Sequence, residues 1–476
     1  MIITLRRMNI QKLFLVLMLS GLLMACGGSE ESTSPKPEAI ATAAYSYPLT
    51  VGSTERHVVD QDAQPFLLVG DTAWSLLVAV SEADADMYLE NRKQHGFTAV
   101  LANLIEYKYA ANAPANFYGF TPFKGRPFTT PQEAYFTHVD NVLKLASEKG
   151  IAVFLFPLYL GRECDETSEG WCIEVQKATI SDMRAWGEYV GNRYANYDNI
   201  VWVIGGDGDP TPVKSKVQAM VDGIASKDTR HPFTVHNARG VMAVTPWSEA
   251  EWLNVNNIYT EGTDYQDAAT AYNISPPKPF FLIEGQYENI RDPSVQMLRA
   301  QSYWTILHGG FGSFFGNCPV WGFGFTGNYC PSFTDWRTQL NSPGALSMKH
   351  FQALFKSRRW DTLVPDTSQT ILIGGSGKFG SADYASSACA ADGSSILIYL
   401  PSSRTITVSG ECLSENTMIA WWYDPSKGVA TQIGTFPTST PQSFSPPNSG
   451  DWVLVLDSAD ASFPAPGESM DSPREK

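Results

Sequence analysis

Short apolar runs alternate with amphipathic stretches eight times between about residues 55 and 360. Most of these runs are continuous rather than alternating, which is typical of parallel strands buried on both faces. Helix signals lie between them, such as Ser81 with Asp84 at a start and Gly150 at a stop. The eight expected strands are residues 66–70, 98–104, 151–158, 200–204, 233–236, 255–259, 280–283 and 312–315. Eight strand–helix units predict an α/β fold, a (β/α)8 TIM barrel, over residues 46–360.

A doubly wound open sheet is the alternative to a barrel. Such a sheet usually carries a glycine-rich phosphate loop after its first strand, whereas this chain continues Asp71-Thr72-Ala73-Trp74. A Gly-x-Gly-x-x-Gly pattern does occur at residues 375–380, but no strand–helix–strand unit surrounds it. We therefore expect a hairpin turn there and favour the barrel.

The pattern of apolar residues along the sequence changes after Trp360. Short runs rich in β-branched and aromatic residues are separated by Gly, Pro, Ser and Asn, which predicts a small all-β sandwich over residues 361–457. The expected strands are residues 371–373, 396–400, 405–409, 418–423, 430–434 and 452–456. Residues 458–476 are rich in Pro, Ser and Asp and are expected to form a disordered tail.

The first 25 residues have the features of an export signal. A basic start precedes the apolar run 13–25, which is too short to cross a bilayer but fits a signal peptide. Residues 23–26 (Leu-Met-Ala-Cys) resemble the lipobox of bacterial lipoproteins, so Cys26 would carry the lipid and residues 26–45 would form a flexible tether. We expect an exported bacterial envelope protein, anchored on the periplasmic or cell-surface face of the outer membrane. An ordinary secretory leader is the alternative.

Charge and cysteine usage narrow the possible partners. The net charge is −15 and no Lys/Arg cluster is visible, which argues against a nucleic-acid surface. An exported chain can keep disulfides, and proximity favours one pairing among those that six cysteines allow. The expected disulfides are Cys164–Cys172, Cys318–Cys330 and Cys389–Cys412. Metal-ligand spacings of the Cys-x-x-Cys or His-x-x-x-His type do not occur, so neither a metal nor another cofactor is expected.

The active site of a (β/α)8 barrel lies at the carboxyl ends of its strands. Asp207 and Glu284 follow the fourth and seventh expected strands, and each adjoins glycine. These strands face each other across the barrel mouth. Two opposed carboxyl groups, one proton donor and one nucleophile or base, are what glycoside hydrolysis requires. The alternative is that either carboxylate only hydrogen-bonds a loop or a helix start.

Five further residues near the strand ends are candidates for substrate binding. Each has a structural alternative: helix capping for Asp71, and core packing for the histidine and the aromatic residues. The five are Asp71, Trp74, His236, Tyr259 and Trp321. A Gly-x-Ser-x-Gly elbow is absent from the sequence, which argues against a serine hydrolase.

Several segments together resemble the apiosidase-like (β/α)8 glycoside hydrolases. They are residues 66–74 (Phe-Leu-Leu-Val-Gly-Asp-Thr-Ala-Trp), 88–92 before 96–98, 202–207 (Trp-Val-Ile-Gly-Gly-Asp) and 279–288, and, in the β region, 421–425 and 450–456. The β region resembles the sandwich that follows the barrel in that family, sometimes labelled collagen-binding. The resemblance implies Asp207 as acid/base and Glu284 as nucleophile. The chain departs from the family at residues 208–210, where Asp209 replaces a frequent basic residue and could take the acid role.

The leading hypothesis is thus a lipid-anchored glycoside hydrolase that cleaves plant or microbial polysaccharides by a retaining mechanism. A non-catalytic glycan-binding lipoprotein on the same scaffold is the main alternative. A third hypothesis is an adhesin that binds a matrix protein through the β region.

Overall fold

The computed structural model describes residues 45–291, 293–325 and 335–470. The expected signal peptide, Cys26, almost all of the expected tether and Cys330 therefore lie outside the described residues. Within the described ranges, no helix combines the length and the hydropathy that crossing a bilayer would need.

Eight parallel strands form the barrel, and every residue in them is buried. They are β1 (Leu68–Thr72), β2 (Ala99–Asn103), β3 (Ala152–Phe156), β4 (Ile200–Gly205), β5 (Phe233–His236), β6 (Asn256–Tyr259), β7 (Phe280–Glu284) and β8 (Gly312–Asn317). Their order is β5-β4-β3-β2-β1-β8-β7-β6. A parallel bridge between Phe233 and Leu253 joins the two ends. The predicted TIM barrel is confirmed, and the open-sheet alternative is wrong.

Nine α-helices surround or extend the barrel within the described residues. They are α1 (Leu76–Ala79), α2 (Glu82–Gln94), α3 (Glu133–Glu148), α4 (Cys172–Lys177), α5 (Ile180–Tyr194), α6 (Lys214–Ala225), α7 (Tyr265–Tyr272), α8 (Val295–Leu307) and α9 (Pro343–Lys356). The Ser81 side chain accepts a hydrogen bond from the Asp84 backbone N–H, which confirms the predicted N-cap of α2.

Two antiparallel sheets make up the β domain, as predicted. Its strands are β9 (Leu363–Pro365), β10 (Leu372–Gly374), β11 (Ser386–Ala390), β12 (Ser395–Leu400), β13 (Ile406–Val408), β14 (Thr417–Asp424), β15 (Val429–Pro437), β16 (Gln442–Phe444) and β17 (Trp452–Ser458). The six-stranded sheet has the order β9-β11-β12-β17-β14-β15, and the other sheet is β10-β13-β16. Sequence reasoning missed β9, β11 and β16, which are short or lack β-branched residues.

The β domain is fixed to the barrel through α8. Arg299 forms a buried 2.6 Å ion pair with Asp451, and Tyr399 also hydrogen-bonds that carboxylate. The rings of Tyr303 and Tyr399 stack at 4.7 Å. This buried ion pair and these stacked rings fix the β domain against α8 of the barrel.

Two of the expected disulfides, Cys164–Cys172 and Cys389–Cys412, are present. Cys318 is also disulfide-bonded, while its expected partner lies outside the described residues. Part of the segment expected to be a disordered tail packs on the barrel instead. The Arg358 guanidinium lies 4.9 Å from the Phe463 ring centroid, and the Gly467 N–H donates to the Ser357 hydroxyl.

Candidate active site

A cavity of about 520 Å³ opens at the carboxyl ends of the barrel strands. Five residues predicted for the site line this cavity: Trp74, Asp207, Tyr259, Glu284 and Trp321. Its other lining residues are Asn103, Tyr109, Tyr159, Arg162, Glu169, Ala238, Arg239, Glu261, Gln286, Tyr287, Ile290, Arg291 and Pro293. The tertiary structure thus brings together five of the seven predicted site residues, and His236 lies directly behind two of them.

The local backbone explains how Asp207 reaches the cavity. Gly205 ends β4 with φ +105°, and a Cβ there would lie 2.2 Å from the His236 carbonyl oxygen. A Cβ on Gly206 would lie 2.8 Å from the Gly161 nitrogen. Glycine at both positions permits this close approach of the backbone, which takes the chain from β4 into the cavity wall.

His236 joins the two carboxylates. Its Nε2 lies 2.9 Å from Glu284 Oε2, and its Nδ1 lies 3.4 Å from Asp207 Oδ1. One ligand-type atom from each of the three side chains lies within 4.8 Å of the other two. The imidazole is fully buried, which lowers its pKa. The hydrogen bond to Glu284 and the charges of both carboxylates outweigh burial, so the net effect raises the pKa of His236.

The two carboxyl groups have different surroundings. Burial, and then the negative charge of Glu284, raise the pKa of Asp207 to about 7, against the opposing effect of His236. The Asp207 side chain keeps 26% of its exposure, whereas that of Glu284 keeps 11% and faces the imidazole. Asp207 can therefore hold a proton near neutral pH while remaining accessible from the cavity.

Aromatic side chains form much of the cavity wall. The Trp74 indole N–H donates to the Tyr287 hydroxyl at 2.8 Å, and its ring packs against Tyr159 and His236. The Tyr259 hydroxyl lies 3.5 Å from Asp207 Oδ2. Flat apolar faces beside hydroxyl and carboxylate groups suit a ligand that has both apolar faces and hydroxyls.

The structure does not place Asp71 in the predicted substrate-binding site. Its side chain is fully buried away from the cavity, and Oδ2 accepts hydrogen bonds from Arg92 Nε and the Tyr88 hydroxyl, both at 2.6 Å. The expected strand ended at residue 70, but β1 continues to Thr72, so Asp71 lies within it and faces α2. Strand alternation therefore gives it a role in strand–helix packing rather than substrate binding.

The remaining carboxylates near the strand ends have other partners. Glu106 accepts hydrogen bonds from the backbone N–H groups of Tyr107, Lys108 and Tyr109 and so holds a loop. Asp209 is exposed and lies outside the cavity lining, and hydrogen bonds from Thr211 lower its pKa. These positions favour Asp207 over Asp209 as the proton donor.

Several lining residues escaped sequence reasoning. Asn103 is the last residue of β2, and its Oδ1 is buried without a hydrogen bond while its Nδ2 donates to Glu106. Tyr287 lies three residues beyond Glu284. At the rim, Glu261 pairs with Arg239 at 2.6 Å and with Arg291 at 2.9 Å. A one-residue error in the end of β2 hid Asn103, and no sequence pattern marked Tyr287, Arg239 or Arg291. Glu261 was expected near the site, since it follows the sixth expected strand.

Two carboxylates and a histidine are also donor types of divalent-metal sites. The spacing of histidines and cysteines along the sequence could not reveal this cluster, because its members come from three separate strands. The expectation that no metal takes part thus stays a prediction.

A (β/α)8 barrel with carboxylates after its fourth and seventh strands has the architecture that is typical of glycoside hydrolases. Within that class, the chain belongs to the apiosidase-like family, because the family model described as "Apiosidase-like, catalytic domain" matches residues 53–362. A second model, described as "Putative collagen-binding domain of a collagenase", matches residues 364–457.

Two solved structures show the same fold over most of the chain. One is described as "Glycoside hydrolase", with a TM-score of 0.77, 22% identity, and coverage of 87% of this chain and 97% of that one. The other is a glycoside hydrolase family 5 protein from Bacteroides vulgatus ATCC 8482, with a TM-score of 0.77, 22% identity, and coverage of 88% and 96%. A search of curated protein sequences found no match.

Proposed function

We propose that this protein is a glycosidase that cleaves glycosidic bonds in plant or microbial polysaccharides by a retaining mechanism. The observation that carries the proposal is the Asp207–His236–Glu284 cluster in the barrel cavity. Membership of the apiosidase-like family supports the same class of reaction.

The spacing of the carboxyl groups supports retention. Retaining enzymes hold their two carboxyl groups ~5–5.5 Å apart, whereas inverting enzymes leave ~6.5–9.5 Å to admit a water molecule. Here carboxylate oxygens of Asp207 and Glu284 lie within 4.8 Å of each other.

In the first step, Glu284 attacks the anomeric carbon while Asp207 donates its proton to the departing glycosidic oxygen. The carbon–oxygen bond to the leaving group breaks as the ester bond to Glu284 forms. In the second step, water attacks the anomeric carbon, Asp207 takes the proton from this water, and the ester bond breaks. Each turnover thus restores protonated Asp207 and ionised Glu284.

The surroundings of the pair favour this cycle. The raised pKa of His236 favours a positive imidazole beside the Glu284 carboxylate, and the raised pKa of Asp207 favours its protonated form. When Glu284 becomes an ester, its negative charge disappears. One cause of the raised Asp207 pKa is then removed, and the acid of the first step becomes the base of the second.

We also propose that the protein is exported and anchored through Cys26. The first described residues lie at the amino-terminal ends of the strands: the Tyr45 hydroxyl accepts from the Leu67 N–H, and the Tyr47 hydroxyl donates to the Gly150 carbonyl. The cavity lies at the carboxyl ends. The chain therefore enters the barrel at the end opposite the cavity.

The test is release of reducing sugar from a panel of soluble polysaccharides by the purified protein, with product configuration followed by proton NMR. We expect release with retained anomeric configuration, abolished in Glu284→Gln and unaffected in the control variant Glu249→Gln, whose residue is exposed and lies outside the cavity lining. An inverted product would refute retention. Polysaccharide binding without release would instead identify the non-catalytic glycan-binding protein.

A further inference from the structure

An exposed turn at the cavity end of the barrel carries most of the exposed aromatic side chains among the described residues. Among the described residues, four large aromatic side chains are exposed, and three of them lie within four residues: Phe117 (47%), Tyr118 (49%) and Phe120 (39%). We call residues 116–120 the aromatic turn. The fourth, Phe379, packs against the rings of Tyr265 and Tyr384. Clusters of exposed aromatic side chains on a folded surface typically mark a binding site.

The aromatic turn is held rigidly by a buried residue. The Asn116 side-chain Oδ1 accepts hydrogen bonds from the Tyr118 and Phe120 N–H groups, and the Asn116 N–H donates to the Phe120 carbonyl. Gly119 has φ +83°, and a Cβ there would meet nothing within 4 Å. A turn fixed in this way presents its rings without a further ordering cost when a ligand binds.

The aromatic turn lies at the same end of the barrel as the cavity. It belongs to the loop that leaves β2 past the lining residue Tyr109, and the Phe117 N–H donates to the Val78 carbonyl at 2.7 Å. Val78 follows the lining residue Trp74 by four residues. Chain geometry therefore places Phe117 within about 20 Å of Trp74, on the same end of the barrel.

The neighbouring charges define which ligand fits. The Tyr118 ring packs edge-on against His138 at 5.2 Å, and His138 lies 3.8 Å from Glu82. Helix α2 begins at Glu82 and carries Asp84 and Asp86 as well. Asp84 pairs with Arg337 and Asp86 pairs with Lys149, so the carboxylates beside the turn are balanced by cations and do not favour an anionic ligand. Their oxygens can still accept hydrogen bonds from hydroxyl groups. Neutral sugars combine such hydroxyls with apolar C–H faces that stack on aromatic rings.

We propose that the aromatic turn is a second glycan-binding site, which holds a neutral stretch of the polysaccharide whose cleavage point enters the cavity. This inference rests on the proposed glycosidase function. A polymer bound at both places would be retained on the enzyme more strongly than a short oligosaccharide, which can occupy only one of them.

The test measures binding apart from hydrolysis. Affinity electrophoresis in gels containing glucomannan, xylan, arabinan or galactan compares Glu284→Gln protein with the same protein carrying Phe117→Ala, Tyr118→Ala and Phe120→Ala. The matched control carries Val429→Ala and Ile433→Ala, which remove exposed apolar side chains from the β domain. Polygalacturonate serves as the anionic comparison. Circular dichroism checks that each variant is folded.

We expect at least one neutral polysaccharide to retard the Glu284→Gln protein, the triple change to weaken that binding at least about 5-fold, and the control to match the parent. In the otherwise wild-type enzyme, the triple change should lower the rate on dilute polymer and leave the rate on short oligosaccharides unchanged. Unchanged retardation of the triple variant, retardation by polygalacturonate alone, or a shift in oligomeric state on gel filtration would each overturn the proposal. Loss of binding without any hydrolysis by the parent enzyme would support the second site and refute only the proposed catalytic function.

Discussion

The dependence of Asp207 on its neighbour can be measured directly. Replacing Glu284 by Gln keeps the size and hydrogen-bonding capacity of the side chain and removes its negative charge. That charge is the second cause, after burial, of the raised Asp207 pKa. Without it the ionised form of Asp207 becomes easier to reach, so the Asp207 pKa should fall from about 7.

The size of the fall follows from Coulomb's law at the 4.8 Å limit between ligand-type atoms of the cluster. An effective dielectric constant of ~20 gives ~3.5 kcal/mol, or ~2.5 pKa units, and bulk water gives ~0.9 kcal/mol, or ~0.6 units. His236 opposes the change. The hydrogen bond to Glu284 is the largest of the effects that raise the His236 pKa, so the imidazole loses its proton more readily in the variant. A neutral imidazole no longer favours ionised Asp207. We therefore expect a net fall of about 1 unit.

The assay is a pH titration followed by carbon-13 NMR of protein labelled at aspartate side-chain carboxyl carbons. Asp207→Asn identifies the resonance, and Glu261→Gln, which changes a rim carboxylate, provides the matched control. A fall of about 1 unit in Glu284→Gln and no comparable change in the control would support the charge coupling. A pKa that stays near 7 in Glu284→Gln would show that burial alone raises it, and the proposed switch from acid to base would lose its basis.

Three further predictions concern catalysis and stability. Azide should restore part of the activity of Glu284→Gly and yield a glycosyl azide of inverted configuration, and should yield the retained azide with Asp207→Ala; the opposite pattern of products would exchange the two roles. Prolonged treatment with a chelator should leave the rate unchanged, and a loss restored by a divalent metal would instead assign the Asp207–His236–Glu284 cluster to that metal. Asp71→Asn leaves the Arg92 charge buried without its partner and should cost about 3–5 kcal/mol of stability, read from chemical denaturation, while Asp71→Asn/Arg92→Met should recover part of it; unchanged stability of the single variant would contradict the structural role of Asp71.

The barrel strands were predictable because most of them are apolar runs between helix signals, and burial on both faces produces that pattern in the sequence itself. Their ends were harder to predict. Asp71 was expected beyond the first strand and lies inside it, because the hydrogen-bonded ladder with β2 and β8 extends to polar residues that no apolar pattern includes. The strand Ser386–Ala390 was missed for a related reason, since its small residues are ordered by neighbours on both sides.

The sequence by itself determined the barrel, the β domain and the position of Asp207 and Glu284 at strand ends, because these depend on local patterns of burial and on glycine at close approaches. Only the tertiary structure decided that His236 joins the two carboxylates, that Asn103 and Tyr287 line the same cavity, and that three exposed rings cluster at the same end of the barrel. These contacts join residues that are distant in sequence. Their distances and their effects on pKa arise only when the barrel closes, since electrostatic coupling depends on separation in space and on exclusion of water.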